Sequence, residues 1–423
     1  MPNADLSHDL AGLRVLRLCS VFEPPASVLA GRGVRFDPIG GMQNHTAHLV
    51  RALDRWGVEQ TVVTTRPPGA PRRQRIGAAV VRRYGLPVRT LRQLYSVPAG
   101  LVVPRLAQRA DLLHVHLGED LCVVPIALAA ARAARIPLVL TVHASLRHTL
   151  AVTDARSWLL HHLGGRLEWV GEHAADATIT LTPRLTGMLT DDGVPPERLH
   201  VIPSGVVPAD YEDGAPDPWP GIGRPRVVFV GRLTRQKGVR TLIAAAQRLR
   251  TPGARVVFVG DGPDRAWIEE EVRAAGLEER VALVGFKPHE EVAAIMRHAD
   301  LLVLPSRYEE LGTVLIEGLQ AGLPIVASDV GGIPDALGPA GVLVPVDDAA
   351  ALAEAVDGVI GDPAKAERLG ALARERAKDY DWDVLADQVL DVYAGALARH
   401  GRRRTRTAVV GPAPLEAVAG RAP

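Results

Sequence analysis

The chain predicts an α/β fold built from two doubly wound, parallel-sheet domains that face each other across a cleft. Three observations carry this. Short β-rich runs alternate with helix-like segments along the whole length. These runs lack the strict apolar–polar alternation of a half-exposed sheet, so their strands are covered on both faces, as in parallel sheets. A stretch rich in turn formers, Val206–Arg226, divides the chain near its middle, with prolines 208, 216, 218, 220 and 225 and glycines 214, 221 and 223. A length of 423 residues suits two domains of about 200 residues each.

The elements follow in order. VLRLCSV, QTVVTT, LLHVH, LVLTVH and ATITLT are the strand candidates of the first half, residues 1–205. VVFVGR, VVFVGD, VALVGF, LLVLPS and PIVASD are those of the second half, residues 206–380. Helices between them complete two doubly wound units, whose ligands belong at the carboxyl ends of the strands. Asp381–Ala398 has an Asp N-cap candidate and apolar positions at helical spacing, so it predicts a late helix. Residues 400–423, Arg-rich and then Pro/Ala/Gly-rich, are expected to be disordered.

Composition narrows the function. A net charge of +1 makes no case for nucleic acid. Cys19 and Cys122 both sit in apolar runs and form no disulfide framework, which suits a reducing cytoplasm. Asp5 and Asp9 precede the first apolar run, so no signal peptide is expected. The most apolar stretch, Leu121–Val142, is interrupted by Arg132, Arg135 and Pro137 and predicts a buried helix plus a strand rather than a membrane span.

The most informative segment is PSRYEELGTVLIEGLQAG, ending at Gly322. Glu309 and Glu317 flank Leu311-Gly312-Thr313-Val314, between a strand-like run and a helix-like one. A strand, a glycine turn and a helix N-terminus make a seat for phosphate, because unpaired N–H groups and the positive helix end both point at the anion. Glu309 lies just before that helix and Glu317 just inside it. In VVFVGRLTRQKGV, a strand ends at Gly231 and the cations Arg232 and Lys237 precede a second helix start. Arg offers a planar fork and Lys a mobile point charge, which together suit a diphosphate. Gly40-Gly41 opens a helix-like run in the first half, where glycine permits close approach to an anion or sugar.

These motifs resemble glycosyltransferase family 4, retaining enzymes whose second domain carries an E-x7-E signature. The resemblance runs from Gly40-Gly41 to the late helix. It implies the GT-B fold, two Rossmann-like domains, with residues 381–399 returning to the N-terminal, acceptor-side domain. It implies a hexosyltransferase that uses a nucleotide-diphosphate sugar, with a lean to UDP, and a hydroxyl acceptor that is a small molecule or lipid-linked. Arg232 and Lys237 would hold the diphosphate, Glu317 the ribose hydroxyls, and Glu309 the donor sugar. His143, after a strand-borne T-x-H, would bond a donor-sugar hydroxyl. Phe286 and Lys287 would lie by the nucleobase, and Leu311, Gly312, Thr313 and Val314 by the phosphates. Gln43, Asn44 and His45 are acceptor-side candidates.

The chain departs from the family pattern at three places. Glu310 stands where Gly is common, Leu311 where Phe is common, and the segment Gly331–Asp335 ends in Asp where Glu is usual. The EELG form, with FDPIGGMQ, is similar to actinobacterial transferases that decorate aminoglycosides and other secondary metabolites. A nucleotide-sugar 2-epimerase of the same fold and a non-catalytic nucleotide-binding homologue are the alternatives. An NAD-dependent oxidoreductase is disfavoured, since no G-x-G-x-x-G opens either half.

Metal chemistry is not expected. His114 and His116 have ligand-like spacing but no third ligand near them in sequence, and the D-x-D match at Asp381–Asp383 falls at a helix start. His161 and His162 read as surface or packing residues. The segment 60–110 holds ten arginines and no Asp or Glu. It is either a solvated Arg-rich region or a surface for an anionic membrane or acceptor, giving a cytoplasmic or peripheral inner-face location.

Overall fold

The structure is a computed structural model that describes residues 10–24, 41–87, 92–118, 120–150, 152, 154–211, 214 and 216–409. The first half forms an eight-stranded sheet. Its strands are β1 (Arg14–Cys19), β2 (Glu59–Thr65), β3 (Arg73–Ile76), β4 (Ala79–Tyr84), β5 (Leu112–Leu117), β6 (Leu138–Val142), β7 (Ala177–Thr180) and β8 (Leu199–Val201). The spatial order is β3-β4-β2-β1-β5-β6-β7-β8, with β3 antiparallel to β4 and the other pairs parallel. The second half forms a parallel six-stranded sheet from β9 (Arg226–Val230), β10 (Arg255–Val259), β11 (Val281–Gly285), β12 (Leu301–Leu304), β13 (Ile325–Ser328) and β14 (Gly341–Val344), ordered β11-β10-β9-β12-β13-β14.

The uninterrupted apolar runs are buried on both faces. In β9, Val227 and Phe229 join the core on one side of the sheet, while Val228 belongs to the core on the other. The first sheet splits in the same way. Leu113, Val115 and Leu117 of β5 face one core, and Leu112 faces another. His114 and His116 share the face of Leu112 because strand side chains alternate. That face is covered by the last helix, Trp382–Val409, through Trp382, Leu385, Val389, Leu390 and Tyr393. So the last of the described helices completes the core of the first half.

The two passages between the halves lie side by side. Val206, on the outward passage, pairs with Asp381, on the return, in a parallel bridge. Val206 N–H donates to the Tyr380 carbonyl at 2.9 Å, and Trp382 N–H donates to the Val206 carbonyl at 3.2 Å. A Cβ on Gly205 would lie 2.7 Å from the Tyr380 carbonyl oxygen, so glycine is what allows this approach.

Several expectations change. The last helix continues past Ala398 to Val409, through part of the tail expected to be disordered, and residues 410–423 lie outside the described residues. Strands β3, β4, β8 and β14 were not foreseen. The Arg-rich segment 60–110 is not uniformly solvated, since β4 runs through it and Arg83 is buried, donating to the Glu23 carbonyl at 2.8 Å.

Candidate active site

Strand order reverses between β9 and β12, neighbours in the sheet but far apart in sequence. A doubly wound sheet opens a crevice at such a point, at the carboxyl ends of its strands. The two loops that leave these strands carry the charged motifs. The loop after β9 holds Arg232 and then a 3₁₀ turn, Arg235–Lys237. Gly238 follows with φ +70°, and a Cβ there would lie 1.7 Å from the Pro305 carbonyl oxygen. Only glycine lets the two loops meet there. Arg307 N–H donates to the Gln236 carbonyl at 2.8 Å and clips them together.

This contact brings cation and acid into register. Lys237 Nζ donates to Glu309 Oε1, and Ser306 Oγ donates to the same oxygen at 2.9 Å. The glycine pair at Gly331-Gly332 supports the backbone beneath. Their Cβ atoms would lie 1.9 Å from the carbonyl oxygens of Glu309 and Glu310 respectively, and Gly332 N–H donates to the Glu309 carbonyl at 3.1 Å. Arg232 is exposed, and no carboxylate among the described residues pairs with it.

Helix Thr313–Gln320 begins after Gly312, whose φ of +72° suits glycine and which offers no side-chain cap to the first-turn N–H groups. Glu317 lies inside this helix and is buried. Burial, and then the charge of Glu317, push the Tyr211 phenol well above its usual pKa. From the first half, helix Gly41–Arg55 starts against the same spot: a Cβ on Gly41 would lie 3.3 Å from Thr313 Oγ1. Two helix N-termini, which carry partial positive charge, therefore meet at Thr313, four residues after Glu309. Gly40 lies outside the described residues.

The first half adds a histidine cluster. His143 follows β6, and its Nε2 lies 3.0 Å from His116 Nδ1. The His45 ring meets the His143 ring edge-on at 4.7 Å between centroids, and His45 Nδ1 bonds Ser204 Oγ at 2.9 Å. His45 thus belongs to the buried cluster. Burial holds the pKa of His143 down at about 3 and lowers those of His45, His114 and His116. All four imidazoles are therefore neutral at pH 7. His45, His116 and His143 can each turn one nitrogen within 4.8 Å of the others. These ligand-type neighbours of His116 come from elements distant in sequence, and His114 is not among them.

Other sequence candidates are placed less centrally. Leu311 packs into the core, and the side chain of Val314 packs against it, so only their backbones can address a phosphate. Phe286 is 46% exposed, and Lys287 Nζ pairs with Glu291 Oε2 at 2.9 Å. Gln43 is buried and Asn44 half-buried. Asp381 and Asp383 shape a helix start: Asp383 N–H donates to Asp381 Oδ1 at 2.9 Å, and the Asp383 carboxylate pairs with Arg55.

Sequence reasoning missed several groups. Thr182 Oγ1 donates to Glu310 Oε1 at 2.6 Å, and Tyr308 Oη donates to Glu310 Oε2 at 2.6 Å. Arg184 approaches the same carboxylate at 3.5 Å. The Glu310 departure is thus explained, since its side chain reaches across to the first half. Thr182-Pro183 was a legible cue, an N-cap followed by proline at the first helical position. Arg17, buried in β1, was also missed, and a lone arginine inside an apolar strand was its signal.

Two facing doubly wound halves, with this charged crevice at their strand ends, form the GT-B architecture. A family model described as Glycosyltransferase Family 4 matches residues 39–210, and one described as Glycosyl transferases group 1 matches residues 221–376. The 2-deoxystreptamine N-acetyl-D-glucosaminyltransferase of Streptomyces fradiae is 34% identical over 397 residues, covering 85% of this chain and 91% of that protein. A glycogen synthase of Mycobacterium tuberculosis is 32% identical, covering 86% of this chain and 93% of its own. The crystal structure of the Anabaena protein HepE with UDP and glucose superposes with a TM-score of 0.69 at 20% identity, covering 90% of this chain and 98% of that one. The chain belongs to glycosyltransferase family 4.

Proposed function

We propose that this glycosyltransferase moves a hexosyl group from a nucleotide-diphosphate sugar, preferably UDP-linked, to a hydroxyl acceptor with retention at the anomeric carbon. The meeting of two helix N-termini at Thr313, four residues after the Glu309 that Lys237 contacts, carries the reading. Such a site stabilises a diphosphate, and its cations oppose the charge that grows on the leaving group in the transition state. The bond from the anomeric carbon to the diphosphate oxygen breaks, the acceptor oxygen bonds to that carbon on the same face, and the departing phosphate takes the acceptor proton. Glu309 and His143 orient the sugar, and Glu317 binds the ribose. The site cations come from Lys and Arg, so no metal is required.

The 2-deoxystreptamine N-acetyl-D-glucosaminyltransferase relative and the UDP complex of the structural neighbour support a UDP-sugar and a small polyhydroxylated acceptor. Among the described residues no helix is long and apolar enough to cross a membrane. Exposed Arg73 and Arg75 of the antiparallel edge strand, with Arg72 just before it, favour a second reading, a lipid-linked acceptor at an anionic surface.

The test is calorimetric binding of UDP, GDP and ADP without divalent metal, to the wild type and to Arg232→Ala/Lys237→Ala. Micromolar binding of one nucleotide, lost in the double variant, is expected. Absence of binding by all three overturns the proposal.

A further inference from the structure

Arg17 lies in the middle of β1 on the sheet face covered by the last helix, and it is fully buried. Its Nη1 contacts His114 Nδ1 at 2.9 Å and His116 Nε2 at 2.8 Å. Its Nη2 donates to Gln60 Oε1 at 3.0 Å and to Tyr393 Oη at 3.2 Å. A guanidinium only donates, so both histidine nitrogens that face it are acceptors. A neutral imidazole with an acceptor at Nε2 carries its proton on Nδ1. His116 Nδ1–H therefore donates to His143 Nε2, 3.0 Å away. His143 in turn carries its proton on Nδ1, for which no described residue supplies an acceptor. His114 takes the opposite tautomer, donating from Nε2 to Thr141 Oγ1 at 2.7 Å.

We propose that Arg17 is a positioning residue that fixes the protons of the chain Arg17–His116–His143, leaving His143 with an unspent Nδ1–H and excluding His45, His116 and His143 as a metal site. The exclusion follows from the same proton count. A metal bound by these three would need a lone pair on His116 Nδ1, because its Nε2 is occupied by Arg17. A neutral imidazole that ligates through Nδ1 carries its proton on Nε2, where it would meet the Arg17 N–H head-on. The outer nitrogen of a metal-bound histidine ordinarily donates to a carboxylate or carbonyl, and here it faces a permanent cation. The low pKa values imposed by burial agree with neutral rings. That the His143 N–H meets an oxygen of the donor sugar rests on the proposed function, whereas the proton arrangement does not.

The experiment is long-range ¹H–¹⁵N correlation on histidine-labelled, full-length protein. In the wild type His116 and His143 should both report protonated Nδ1 and bare Nε2, unmoved by stoichiometric zinc. Arg17→Met should lose that pattern. Should that variant fail to fold, His116→Gln and His116→Leu replace it: the glutamine amide accepts from Arg17 and donates to His143, so His143 keeps its tautomer, whereas leucine releases it. Turnover should then fall roughly tenfold or more in the leucine variant alone, with little change in nucleotide KM. A wild-type His143 protonated on Nε2, or zinc that shifts all three rings, overturns the proposal. Addition of UDP-glucose reads the other reading separately: a His143 proton that stays still while the tautomers are as stated refutes its donor-site role and leaves the chain of protons standing.

Discussion

Replacing Glu310 with alanine should loosen the two halves. Its carboxylate is buried, belongs to the second half, and accepts from Thr182 of the first half at 2.6 Å. A hydrogen bond to a charged group contributes about 1.5–3 kcal/mol. Arg184 approaches the same carboxylate at 3.5 Å with its side chain 32% exposed, so solvent screening leaves it about 0–1 kcal/mol. The bond from Tyr308 comes from the same loop and does not cross between the halves. The cross-half loss is therefore about 1.5–4 kcal/mol, equivalent to roughly 10- to 1000-fold in the equilibrium that joins them. Donor KM should rise towards that factor, and small-angle scattering should show a larger radius of gyration. Glu310→Gln should recover most of the effect, because its carbonyl oxygen still accepts from Thr182. Unchanged donor KM and unchanged scattering in Glu310→Ala would refute the reasoning.

Other expected outcomes follow from the same geometry. Glu317→Ala should weaken nucleotide binding by calorimetry, whereas Glu309→Ala should mainly lower turnover, and equal, small effects would break this division of roles. Gly332→Ala places a Cβ 1.9 Å from the Glu310 carbonyl and 2.6 Å from Thr182 Cγ2, so thermal melting should fall by several degrees, the mark of about 2–3 kcal/mol of strain. Glu172 has its pKa raised to about 8 by burial first and by Glu168 next, despite Arg147 Nη2 at 2.7 Å. Its carboxyl holds a proton in the folded state that the unfolded chain has already released above about pH 4.5. It therefore subtracts stability progressively as pH rises from there to about 8. The melting-temperature gain of Glu172→Gln over the wild type should grow across pH 5–8 and level off above it.

Much of the fold could be read from apolar runs, because strands buried on both faces leave a pattern that needs no partner to interpret. The unforeseen strands are those whose pattern depends on neighbours. β3, RQRI, has no apolar face and is held as an edge by β4, while β4 hides a buried arginine that composition assigns to solvent. At the site, the positions of Lys237, Glu309, Gly312 and Glu317 in strand-to-helix turns were legible because each such turn is contained within one of two strand–turn–helix units. The histidine cluster and the Glu310 bridge were not. His45, His116 and His143 come from separate elements, and Glu310 finds Thr182 across 128 positions of chain. No local periodicity encodes such meetings; they arise from strand order and from the docking of one half on the other.

The last helix has a consequence for how the molecule is made. Domains ordinarily fold as they leave the ribosome, the first synthesised first. Here the core of the first half lacks Trp382, Leu385, Val389, Leu390 and Tyr393 until the helix that carries them emerges. Its buried Arg17 likewise waits for Tyr393. The half that is translated second therefore has its complete core earlier than the half translated first. The nascent chain matures in reverse order, and the first half stays open along one face until residues 382–393 have been made. A stop codon in place of Trp382 would release a chain with its second half intact and its first half permanently unclosed.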